Sequence, residues 1–249
     1  MASKGKIVGI DGCRAGWLAI SCERADLDSS WTAEAIRVEV FASVEALWHA
    51  HHDASALLID MPIGLLDDKP RQVEPAARRR LPGRAASVFT VPCRQAVYAS
   101  SYSKACDINH ERLGTRLSIQ AWNICAKISQ LDRFLQSFPS ARENMFESHP
   151  ELAFAAIQGQ PLLHSKKKSA GQAERLLILR QYWPAAVDVY HQALPGWRRN
   201  QVQPDDILDA MVLLLTLGGR WETLLQNPQR DERDLAINLV VPVGYASQA

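Results

Sequence analysis

The sequence has no Cys-x-x-Cys pair, and its five cysteines (Cys13, Cys22, Cys93, Cys106 and Cys125) are odd in number. That argues against a disulfide framework and against a thiolate zinc site. It lacks an excess of charge of either sign: the formal net charge is +1. No global field therefore draws it to nucleic acid or to membrane, and any such attraction has to come from local patches. The longest apolar run, AMVLLLTLGG at 210–219, falls far short of the roughly 20 residues needed to span a bilayer. Internal repeats and low-complexity tracts are missing as well. The opening MASKGKIVGID carries no signal-peptide apolar core and passes straight into a strand pattern. These absences lead to the expectation of a reduced, cytoplasmic protein with no membrane partner. What is present is ordinary for a globular chain: 249 residues, 47% hydrophobic and 22% charged, enough for a sizeable core in a single domain spanning 1–249.

The order of elements reads as α/β. Residues 5–11 and 16–24 are two apolar runs joined through Asp11-Gly12, the commonest hairpin turn chemistry, so they predict a β-hairpin. TAEAIRVEVF (32–41) predicts a third strand and SVEALWHAHH (43–52) a short helix behind a capping Ser. SALLIDMPIG (55–64) is nearly continuous in its apolar residues, as in a parallel strand buried on both faces. Residues 64–142 read as a helical and loop insertion that contains the Pro- and Arg-rich stretch 66–110 and a good helix at 116–137. ENMFESHPELAFAAIQ (143–158) predicts a short strand and then a helix opened by Pro150. Helices follow at 170–183 and 203–219, and 234–244 predicts an edge strand.

Several acids sit in apolar surroundings. Asp11 ends the first strand, Asp60 ends ALLID, and Glu147 and Glu151 flank the SHP turn. Asp205 and Asp206 fall in the first turn of the 203–219 helix, where acids complement the helix dipole. Asp209 lies past that turn between Leu208, Ala210 and Met211, so its charge needs a partner, a metal or a raised pKa. In α/β proteins the carboxyl ends of buried strands are where ligands are placed. If Asp11, Asp60 and the Asp206/Asp209 helix meet there, their hard oxygens suit Mg²⁺ or Mn²⁺. Such ions activate water and stabilise a leaving oxygen in phosphodiester hydrolysis.

GIDGCRAGW, IDMPIG, SVFTVPCR, ESHPE, KKKSAGQAER and DDILDA occur in that order between residues 9 and 210. Together they resemble the domain-of-unknown-function family 429, described as predicted RNase H-like nucleases. The acid-bearing hairpin, the central strand ending in an acid and the late D-x-x-D helix are similar to the RNase H-like superfamily, closest to its Holliday-junction resolvase branch. The resemblance implies a mixed five-stranded sheet, three antiparallel strands then parallel ones, flanked by helices. It also implies a divalent-metal site and a nuclease acting on nucleic acid. Carried over, Asp11, Asp60, Asp206 and Asp209 are the expected catalytic acids. Asp11, Asp60 and Asp209 are the expected metal ligands, with Glu147 or Glu151 as an additional one.

Plainer readings stand beside these. Asp11 is equally a hairpin turn residue, Asp60 a helper of the Met61-Pro62 turn, and Asp209 the partner of a buried Arg or Lys; one metal site explains all three. His149 is a candidate proton shuttle or ligand, or a structural His before Pro150. Arg94, Lys127 and Lys168 are candidate phosphate contacts. Arg78, Arg79, Arg80, Arg84, Lys166 and Lys167 are read as solvated loop faces more readily than as a phosphate grip. Cys13 is read as a small buried residue, since no His pairs with it in sequence. Two other functions fit the pattern: an actin-like nucleotide-binding phosphotransferase or ATPase using DGCRAG around phosphates, and a catalytically inactive binding protein.

Overall fold

The computed structural model describes residues 5–23 and 31–245. Residue 24, the expected end of the second strand, lies outside them. The chain opens with β1 (Lys6–Cys13), β2 (Gly16–Glu23) and β3 (Arg37–Phe41), then α1 (Val44–His51) and β4 (Ala56–Ile59). Four helices follow: α2 (Val73–Arg79), α3 (Arg94–Val97), α4 (Tyr102–Leu113) and α5 (Ile119–Ser137). After β5 (Met145–Glu147) come α6 (Pro150–Gln158), α7 (Ser169–Tyr182), α8 (Ala186–Ala193) and α9 (Pro204–Gly218). Short strands close the described chain: β6 (Arg220–Thr223), β7 (Gln229–Arg230), β8 (Ala236–Ile237) and β9 (Val240–Val243).

The main sheet has the order β3-β2-β1-β4-β5. β1, β2 and β3 pair antiparallel, and β4 and β5 are added parallel to β1. This is the RNase H-like arrangement that the motifs imply. Helices cover both faces. On one side Ile7, Leu18, Ile20 and Leu58 meet Leu179 of α7, Val189 of α8 and the apolar residues of α9. On the other, Val8, Ile10, Trp17, Leu57 and Ile59 meet Leu47 of α1 and Ile128, Leu131 and Leu135 of α5. The apolar run at 55–64 is thus a strand with both faces buried, all four residues of β4 being inaccessible or nearly so.

Three local expectations change. Asp11-Gly12 is not the hairpin turn: β1 runs through Asp11, opposite Leu18, to Cys13, opposite Gly16, leaving Arg14-Ala15 as the two-residue turn. Gly16, with φ of 137°, supplies the reversal, and a Cβ there would lie 2.0 Å from the Phe41 carbonyl oxygen. The region 64–142 divides, because α5 is part of the layer beneath the sheet whereas 84–91 runs toward the strand ends. The strand expected at 234–244 breaks into β8 and β9, which pair with β7 and β6 in two separate two-stranded sheets. Asn238 divides them, since its side-chain oxygen accepts the N–H groups of Leu225 (2.9 Å) and Leu239 (3.0 Å). One parallel bridge, Ser148 to Val240, still joins this segment to the sheet edge.

Candidate functional site

A cleft of about 680 Å³ opens where β1 and β4 end, bounded by α9, the 84–91 segment and α5. Residues 9, 11 and 13 of β1 face α9, because side chains alternate along a strand. Gly9 is the contact point: a Cβ there would lie 2.2 Å from the Ala210 carbonyl oxygen and 2.5 Å from the Leu214 nitrogen. The backbones of β1 and α9 therefore meet directly, and two residues on, Asp11 faces the first turns of the helix. Asp60 follows β4, anchored by its N–H donating to the Ile10 carbonyl at 2.9 Å. Asp206 and Asp209 enter from α9, one turn apart.

Asp11, Asp60, Asp206 and Asp209 all line this cleft. Asp11 and Asp209 are buried, and Asp60 and Asp206 are partly so. Burial raises the Asp11 carboxyl well above its ordinary value, and Asp60, Asp209 and Asp206 add to that. Burial likewise pushes Asp60 up to about 7, with Lys166 opposing and Asp209 reinforcing the shift. Asp206 rises to about 6 for the same reason, although it also caps α9 by accepting the Gln203 N–H at 2.8 Å. Asp11 accepts the N–H of Gly12 at 2.8 Å.

The partner that Asp209 requires is Lys166, whose ammonium donates to Asp209 Oδ2 and lies 4.0 Å from Asp205. Burial disfavours that ammonium, but Asp209, Asp11 and Asp60 outweigh it and hold the charge on. Among the described residues no three His, Cys, Asp or Glu side chains are grouped as a metal-binding set. The donor chemistry nevertheless suits a hard divalent cation: several carboxylates converge on one cleft, their repulsion is only partly relieved, and a cationic group already sits against them.

The other predicted residues divide between the cleft and its supports. Lys127 lines the cleft, donates to the Gly16 carbonyl at 2.6 Å and lies 4.7 Å from the centre of the Trp17 ring. Burial lowers its pKa. Glu147 borders the cleft but is engaged by Arg71, at 2.8 and 2.6 Å, and by the Ile63 N–H at 2.8 Å. Glu151 bridges Arg84 and the fully buried Arg175. His149 caps α6: its Nδ1 accepts the Leu152 N–H, which leaves Nε2–H to donate to the Ser87 carbonyl. Burial lowers its pKa, consistent with a neutral ring engaged at both nitrogens. Lys168 is exposed at the start of α7 and does not line the cleft, whereas its neighbour Lys167 does.

Arg94 is away from the cleft altogether. Its guanidinium donates to both oxygens of Asp132, at 2.8 and 2.7 Å, to Asp231 at 2.5 Å and to the Leu65 carbonyl at 2.8 Å. Sequence reasoning did not single out Arg14, Glu74 or Asn123, which also line the cleft. Arg14 carried one usable signal, its place two residues after the glycine that follows Asp11. Cys13 is buried and lines the cleft.

The model of a family described as protein of unknown function (DUF429) matches residues 9–232. That span includes every carboxylate of the cleft. No curated protein and no solved structure matches the chain.

Proposed function

The chain belongs to the DUF429 family, and we propose that it is a divalent-metal-dependent nuclease that hydrolyses phosphodiester bonds of nucleic acid. One observation carries this reading: carboxylates from β1, from the end of β4 and from α9 line a single cleft at the carboxyl edge of an RNase H-like sheet. Asp11, Asp60 and Asp209 would hold Mg²⁺ or Mn²⁺, with Asp206 beside them. When bound, the cation supplies phosphate charge neutralisation and a more acidic water.

The chain's own residues define the rest. Lys127, Lys167 and Arg14 line the walls and are the cations available to phosphate oxygens, whereas Arg84, also in the lining, is paired with Glu151. Phe89, Val88 and Val91 give the 84–91 side an apolar surface against which a base or sugar can lie.

The test is Asp60→Asn, assayed against single-stranded, duplex, hybrid and branched substrates with Mn²⁺ or Mg²⁺. Asn keeps the shape and removes a charged ligand, so cleavage should fall by at least two orders of magnitude with the circular dichroism spectrum unchanged. Cleavage at the wild-type rate would refute the site.

A further inference from the structure

The ammonium seated against Asp209 supports one step more, which rests on the metal-dependent reading above. We propose that Lys166 is a displaceable counter-ion: it competes with the divalent cation for Asp209, and when released it turns to an anionic phosphate in the same cleft.

The two partners differ in freedom. The Asp209 side chain is 1% exposed and fixed on α9, whereas that of Lys166 is 39% exposed and reaches in from solvent. Lys166 belongs to the connection 159–168 between α6 and α7, and the backbone there is tied down. Glu174 accepts the N–H groups of Leu163 (2.8 Å) and His164 (2.9 Å). Arg175 donates to the His164 carbonyl at 3.3 Å. Gly171 lets α7 approach so closely that a Cβ would lie 2.1 Å from the Ser165 carbonyl oxygen. With the backbone held, the moving part is the lysine's flexible four-carbon stem.

Lys166 occupies Oδ2 of Asp209, and a dication taking that oxygen would repel the ammonium at contact distance. The lysine thus supplies compensating charge to the free cleft and yields it to a better-charged ligand. Lys167, the next residue and already in the cleft lining, marks where an anionic phosphate would meet the released ammonium.

The experiment has two arms. In the first, Mn²⁺ binding is measured by calorimetry for the wild type and for Lys166→Met. Removing the competitor should tighten binding by about tenfold or more, since a larger fraction of the protein is then competent to bind. In the second, the unmodified chain is reductively methylated with and without saturating Mn²⁺. Mass spectrometry then reads Lys166 against the exposed Lys168. Labelling of Lys166 should rise several-fold with Mn²⁺ while Lys168 stays constant.

Mn²⁺ binding that is no tighter in Lys166→Met, or Lys166 labelling that bound Mn²⁺ leaves unchanged, overturns this proposal and leaves the metal reading standing. Absence of Mn²⁺ binding to the wild type overturns both. If Lys166→Met does not fold, the labelling arm decides alone.

Discussion

Asp60 shows how a single carboxyl couples the cleft to pH. Burial raises its pKa to about 7, above the value of about 3.9 expected for an unfolded chain. The folded protein therefore holds that proton more tightly. The stability gained is complete below pH 4 and is lost as pH rises through about 7. Asp206, raised to about 6, acts in the same direction. In metal-free protein, Asp60→Asn should melt close to wild type at pH 4 to 5 and above it at pH 8, by on the order of 5 °C. Calorimetric melting of both proteins across that range checks it, and a gap that narrows with rising pH would refute it. Asp209 was legible in the sequence because its charge interrupts an apolar helix. Its partner was not, because Lys166 lies 43 positions away in a basic run that reads as solvent-facing. Asp11-Gly12 misled for a local reason: the turn chemistry is real, but the register of β1 and β2 carries the strand two residues past Asp11.

At the scale of elements, the pairing of α9 with β1 sets the site. It rests on Gly9, where the helix backbone lies against the strand with no room for a methyl group. Gly9→Ala should push the two apart, at a cost of roughly 1–3 kcal/mol or more. The melting temperature should fall by about 5–10 °C, and Mn²⁺ affinity should weaken because Asp11 and Asp209 separate. Differential scanning fluorimetry with and without Mn²⁺ reads both effects. Elements whose pattern is carried within their own residues were legible, such as β4 with its unbroken apolar run and α9 with Pro204 at its start. Elements defined by distant partners were not. The break between β8 and β9 depends on the Asn238 side chain reaching Leu225, and α8 follows so closely after α7 that its four buried residues do not stand out as a separate period.

Across the whole molecule, the Arg94 cluster ties remote segments together. Asp132 belongs to α5, Asp231 to the loop between β7 and β8, and Leu65 to the exit from β4. Asp231 also accepts the N–H groups of Leu65 (3.0 Å) and Leu235 (2.8 Å). Arg94→Met would leave the buried Asp231 without its cation and Asp132 with Arg233 alone, at 3.2 Å, at a cost of roughly 3–5 kcal/mol. Urea unfolding should show that loss as a lower midpoint with an unchanged slope, while the nucleic-acid binding expected on the proposed function should be unchanged in the folded fraction. A stable variant with weakened nucleic-acid binding would instead return Arg94 to the role of phosphate contact. The sequence marked Arg94 as a charge in apolar surroundings, but the acids that answer it lie 38 and 137 positions further on.

The direct seating of α9 on β1 also bears on how the protein is made. Asp11 precedes its neighbours on α9, Asp206 and Asp209, by about two hundred positions. Such long-range closure is slow to form and comes late in folding. A nascent chain therefore carries an incomplete acidic cleft until α9 has emerged. On the proposed function, the carboxylates that would hold a divalent cation come together only once α9 has docked on β1.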